Sequence, residues 1–302
     1  MSTDFGHEIN AIAAMVEPPD IEVHPEAIAI ATQSLGEIDD KYGSESENPL
    51  SFHNAGHTLG MTRRVVRLTN LLYPFIPPKY QEGIYDLGIV GGSTHDWEQG
   101  LGPSANEQAS SEYAAAQVEA EGGPLNSDLF KTRLDLGIQA TAVQFAEGGE
   151  LVQAQLQRGK PDPFKFIMGF GDINGIAMEG PFRMTKDATN LYYEITQDPT
   201  VLGLLQFLAD QEVFLSRRLG DWRMKADIAY HFPDSINEVY GAMHNAYHKN
   251  IVAAHGLALL LGQSPELEAT LGAVVNTSAE VLDRSLLGDV VTKVVRRHVR
   301  MG

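Results

Sequence analysis

Apolar positions along the chain recur at the three- and four-residue spacing of a helix, and no stretch shows the strict alternation of a half-buried strand. Ile28, Ile30, Ala31 and Leu35 fit a short helix from Pro25 to Tyr42, which Gly43 and the polar residues 44–48 end. Further helical blocks are predicted at 52–73, 79–95, 105–120, 126–146, 163–179, 184–196, 200–217, 235–262 and 265–299. Stretches rich in Pro or Gly, such as 74–78 and Gly148–Gly149, separate them. Residues 1–22 mix Gly, Pro and acids and read as a flexible arm. With no internal repeat, the pattern predicts an all-α, compact multi-helix globule whose function lies in its interior.

Composition narrows the chemistry. At 302 residues and 43% apolar, the chain has material for a sizeable core. No apolar run approaches the ~18 residues of a membrane span, and MSTDFGHEIN lacks the apolar segment of a signal peptide. The expectation is a cytoplasmic protein without membrane contact. The chain has no cysteine, which excludes disulfides, thiolate sites and cysteine nucleophiles. Any metal must then be held by His, Asp or Glu, a donor set suited to Mn, Mg, Zn or Fe. Twenty-two Lys and Arg against 40 Asp and Glu give a net charge of −18, which disfavours nucleic-acid polymers and anionic membranes. A small anionic substrate would need a local cationic patch or a metal.

Three segments carry candidate chemistry. In Ser51-Phe52-His53-Asn54-Ala55-Gly56-His57, two histidines four apart would share a helix face, as cavity ligands or as capping and satisfied core groups. Ile84, Leu87, Gly88, Gly91 and His95 form one helical stripe, its glycines allowing close approach of a neighbour just before His95-Asp96. That adjacent imidazole and carboxylate could reach one cation or form a surface ion pair. Asp172 sits in the apolar segment Phe166, Phe170, Ile173, either at its rim or buried against a partner.

Taken in order, these residues resemble the HD-domain metal-dependent phosphohydrolases. His53-Asn54-x-x-His57 is similar to the HNxxH signature of the 3',5'-cyclic-nucleotide phosphodiesterases in that group. Ser111-Glu112-Tyr113-Ala114, Ala140-Thr141, Gly171-Asp172-Ile173-x-Gly175 and Gln211-Glu212-Val213-Phe214 resemble later family segments, so the likeness runs from about Phe52 to about Phe232. It implies an HD-type catalytic domain over 23–236, with 237–302 a helical extension packed on it. It also implies a divalent metal on His57, His95, Asp96 and Asp172, with His53 as the acid for the leaving group. Gln211, Phe214 and Asn54 would contact the substrate, a small nucleotide or other phosphate ester.

The sequence departs from the family in two places: Gln99 stands where a histidine is usual, and Ala142 where an aspartate is. The expectation is therefore one tight metal and a second, weak one. Glu98 and Gln99 would orient water around the second ion, or else form an ordinary loop. The alternative function is a metal- or nucleotide-binding regulatory protein without turnover. His244, His248 and His255 share one side of the helix at 235–262, either as a second metal site or as a surface or interface stripe, and the basic end Lys293, Arg296, Arg297, Arg300 either complements its own helix dipole or contacts an acidic partner subunit, which leaves room for homo-oligomer contacts through the C-terminal helices.

Overall fold

The computed structural model describes residues 3–18, 20–102, 104–145, 151–153, 156, 159–173, 178–197, 199–208, 210, 222–263, 269–271, 273 and 287–301. The fold is all-α. Its helices are α1 Phe5–Ala13, α2 Pro25–Tyr42, α3 Ala55–Leu72, α4 Ile84–Thr94, α5 Ala105–Glu121, α6 Asp128–Gln139, α7 Pro163–Ile173, α8 Pro181–Ile195, α9 Trp222–His231, α10 Ile236–Gln263 and α11 Leu287–Met301. Residues 201–208 are also helical. No helix among the described residues is long and apolar enough to cross a membrane.

Helix α4 lies at the centre, with every residue from Ile84 to Thr94 buried. Its glycines set how closely its neighbours approach. A Cβ on Gly92 would stand 2.7 Å from the Cα of Thr62 in α3, and one on Gly88 2.9 Å from Val65 Cγ1. A Cβ on Gly91 would meet Phe164 of α7 at 3.2 Å. Helices α3 and α7 therefore close on α4 from two sides, and the ends of these three helices carry the candidate chemistry.

Around α4 the main core gathers Ile30 and Leu35 of α2, Leu134 and Ile138 of α6, Ile228 of α9, and Val239 and Met243 of α10. A second cluster joins Tyr192 and Tyr193 of α8 to Leu204, Leu208, and Val291 and Val295 of α11. The first turns of α10 complete the main cluster, and α11 packs on α8.

Three expectations need correction. The supposed flexible arm contains α1, capped by Asp4 through the His7 N–H, and Ile9 and Ile12 are fully buried in the core. Its Gly and Pro content obscured the helical spacing of Phe5, Ile9 and Ile12. The block at 126–146 stops as a helix at Gln139, and Gln144–Phe145 pairs antiparallel with Leu151–Val152, Gln144 opposite Val152. Two short runs of β-favouring residues flank Gly148–Gly149, a hairpin signal that the helical reading passed over. The block at 79–95 begins as a helix only at Ile84, after Gly83 at φ +62°.

The start of α7 is fixed by a buried ion pair. Arg133 of α6 donates from Nε to Asp162 Oδ2 at 2.8 Å and from Nη2 to Oδ1 at 3.1 Å. It also donates to the carbonyls of Tyr80 and Glu82. Asp162 in turn accepts the Phe164 N–H at 2.9 Å, and its own N–H donates to Nδ1 of buried His231 at 3.2 Å. His231 Nε2 donates to the Leu156 carbonyl at 2.8 Å. Burial holds this imidazole neutral, its pKa pushed down to about 4.

Candidate metal centre

Asn54 shapes the start of α3. Its side-chain oxygen accepts from the N–H groups of Gly56 and His57 at 3.0 and 3.3 Å, and its amide nitrogen donates to the carbonyls of Leu50 and Ser51. This is an N-cap, satisfying backbone donors the first turn leaves open. The amide of Asn54, a residue expected to touch substrate, is engaged in the cap. His53 consequently precedes α3 rather than sharing its face with His57.

His57 emerges in the first turn of α3, His95 and Asp96 follow the last residue of α4, and Asp172 sits in the last turn of α7. His95 Nε2 lies 3.1 Å from Asp96 Oδ2 and 3.6 Å from Asp172 Oδ1. His57 Nε2 lies 3.4 and 3.6 Å from the same two oxygens. Ligands on one ion with bonds of ~2.1 Å stand ~3.0 Å apart on an octahedral edge and ~3.4 Å on a tetrahedral one. The spacing matches. The ligand atoms of His57, His95 and Asp96 all fall within 4.8 Å of one another.

Both nitrogens of His57, Nε2 of His95 and Oδ2 of Asp96 are buried without a hydrogen-bond partner. Buried polar atoms left this way are costly, and a cation is the partner this donor set fits. The outer atoms are better held. His95 Nδ1 donates to the Gly92 carbonyl at 3.0 Å, leaving Nε2 to face the cluster. Asp96 Oδ1 accepts from Gln99 Nε2 at 2.9 Å. Gln99 thus reaches the cluster through its amide nitrogen, orienting a carboxylate.

Charges reinforce the grouping. Burial alone would raise the carboxyls of Asp96 and Asp172, but the facing imidazoles hold both below the usual range. Burial alone would lower His95, yet the same two carboxylates raise it. His57 is lowered, by burial first, with the positive charge of Arg64 contributing.

Glu98 turns to its loop. One carboxylate oxygen accepts from Gly100 N at 2.7 Å, Gln99 N at 3.0 Å and the Tyr42 hydroxyl at 3.2 Å, while Lys41 Nζ lies 3.9 Å from the other. Between the two expected roles for Glu98, the contacts are those of a loop cap. Ala142 is buried, and Thr141 donates to the carbonyl of Ile138. Gln211 and Phe214 lie outside the described residues.

Three residues that the sequence reading missed complete the surroundings. Glu194 of α8 contacts His53 Nδ1 closely through Oε1, and its Oε2 accepts the N–H groups of Phe52 at 2.7 Å and His53 at 3.1 Å. Burial would lower His53, but Glu194 and the charge of Asp96 raise it. The His53 and His57 ring centroids are 5.9 Å apart. Arg64, buried seven residues after His57 in α3, donates from Nε to the carbonyl of Gly171 at 2.9 Å, fixing the residue before Asp172. Glu107, in the first turn of α5, keeps Oε2 buried without a partner. Its carboxyl is raised by burial and further by the charges of Asp96 and Asp172.

Arg64 was legible as a cation on the face of His57. Glu107 looked like an ordinary first-turn acid, and Glu194 gave no local signal, lying 141 residues from His53. In comparison with known proteins, no family model matches the chain, and no curated protein or solved structure does either.

Proposed function

We propose that the chain is a metal-dependent phosphohydrolase of HD type, acting on a phosphodiester or phosphate ester of a small nucleotide. The observation that carries this reading is the group of His57, His95 and Asp96 with buried, unpartnered donor atoms, which Asp172 Oδ1 faces at 3.6 Å from both imidazoles. A divalent ion held there would supply an acidified water and neutralise phosphoryl charge. Asp172, its side chain 19% exposed, marks the side from which solvent reaches the cluster.

The chain's own groups would do the rest. Glu194 accepts from His53 Nδ1 and favours the protonated imidazole, leaving Nε2 to deliver a proton to the leaving oxygen. The capped turn at Asn54 sets the offset between His53 and His57. Gln99 and the Gly92 carbonyl hold Asp96 and His95 in their orientations.

The test pairs metal content with turnover. Protein loaded in turn with Mn, Mg, Zn and Fe should release p-nitrophenol from bis-p-nitrophenyl phosphate with at least one of them. Asp96→Asn should lose the ion and on the order of 10³-fold or more in rate. A loaded but inert protein favours the regulatory binder; full metal retention in Asp96→Asn removes the assignment.

A further inference from the structure

Helix α10 buries Val239, Met243 and Tyr247 in the core, which fixes its rotation and leaves the opposite side in solvent. His244 and His248 stand on that side one turn apart, both exposed. Their rings stack with centroids 4.6 Å apart and planes 20° from parallel. Tyr240 continues the column at 6.1 Å from His244, and Lys225 Nζ of α9 lies 4.5 Å from the Tyr240 ring.

We propose that His244 and His248 form a surface chelate for a borderline divalent cation such as Ni²⁺, Zn²⁺ or Cu²⁺, separate from the buried centre. Residues at i and i+4 of a helix are neighbours on its surface, and exposed imidazoles can each turn a nitrogen toward one ion between them. Two nitrogens on one ion with bonds of ~2.1 Å lie ~3.0–3.4 Å apart. Exposed rings reach that spacing from a 4.6 Å stack by tilting, with no core group to displace.

Two features set which ion binds. The residues one turn away on either side are Tyr240, Gly241, Ile251 and Val252, so the helix itself offers the pair no carboxylate. A donor set of two neutral nitrogens prefers late transition ions over Mg²⁺ and Ca²⁺, which seek oxygen. Water completes the shell, which keeps affinity in the range of about 1–100 μM rather than that of a closed structural site. The net charge of −18 adds a general attraction for cations.

The test titrates metal-stripped, untagged protein with NiCl₂ and with MgCl₂ in a calorimeter. Wild type should bind one micromolar equivalent of Ni²⁺ with no Mg²⁺ counterpart. His244→Asn and His248→Asn should each weaken that equivalent more than tenfold. Far-UV circular dichroism of both variants should match wild type, since both positions are exposed. A Ni²⁺ equivalent that is insensitive to Asp96→Asn and survives in both His variants, or the lack of any such equivalent in wild type, overturns the proposal. The buried centre is read separately as an equivalent sensitive to Asp96→Asn, so either site's failure leaves the other legible.

Discussion

Adding one methyl group at Gly92 should disturb the candidate metal centre without touching any of its proposed ligands. The new Cβ would stand 2.7 Å from Thr62 Cα and 3.2 Å from Thr62 N, which are backbone atoms of α3 and cannot rotate away. Carbon atoms pack at ~3.5–4.0 Å, so α3 and α4 must separate locally by about 1 Å. His57 lies five residues before Thr62, and His95 three after Gly92, so the separation moves one imidazole against the other. Metal bonds tolerate errors of only ~0.2 Å, and a loss of 10–100-fold in affinity is expected.

Overpacking costs ~1–3 kcal/mol, while Ala in place of a helical Gly returns ~1 kcal/mol. Gly36→Ala supplies the control, because a Cβ there meets nothing within 4 Å. Urea unfolding should therefore place Gly92→Ala about 1–3 kcal/mol below Gly36→Ala, and chelator competition should show weakened metal binding only in the former. Equal stability and equal affinity in the two variants would refute the idea that close helix approach aligns the histidines.

Protonating His231 should destabilise the fold in acid. Its folded pKa of about 4 lies below the unfolded value of ~6.5, so the unfolded chain binds the extra proton first and stability falls as pH drops below ~6.5. The loss reaches about 2 kcal/mol by pH 5 and about 3 by pH 4. Urea midpoints for wild type and His231→Gln across this range should show a flatter slope in the variant. Glu194→Gln should keep the metal but cut turnover about 10–100-fold at pH 8. With the His53 pKa lowered, the alkaline fall in rate should move to lower pH; an unmoved profile would detach Glu194 from His53 function. Glu107→Gln, removing a buried negative charge near Asp96 and Asp172, should weaken divalent metal binding roughly three- to tenfold, on the scale of ~1 kcal/mol of through-space attraction. Unchanged affinity in a dialysis assay would leave Glu107 a helix-start acid only.

The parts of the site legible in the sequence were those where a polar group interrupts an apolar helix. Asp172 within Phe166, Phe170 and Ile173, and His95-Asp96 after a helical stripe, each pointed to a shared partner, with a rim acid and a surface ion pair as the alternatives. Close packing was legible at Gly88 and Gly91, while the tightest approach of the three α4 glycines is made by their neighbour Gly92. Where competing local signals existed, the reading went astray. Asn54 before Ala55 and Gly56 is an N-cap signal, and taking it as helix interior placed His53 on the wrong face. Glycine and proline hid α1 although Phe5, Ile9 and Ile12 keep its spacing. Pairings made only by the tertiary fold, such as Glu194 with His53 and Gln99 with Asp96, have no signature in local sequence.

The fastening of α7 at both ends makes it a lever. Asp162 holds its start through Arg133 and the His231 ring, and Arg64 holds its end at the Gly171 carbonyl. Asp172 lies ten residues beyond Asp162, or about 15 Å along the helix. A proton arriving at His231 Nδ1 would face the Asp162 N–H that the nitrogen now accepts and would loosen the near end. That slack would reach Asp172, the proposed metal ligand at the far end of the helix, only as the pH falls toward about 4, where His231 takes up its proton in the folded chain.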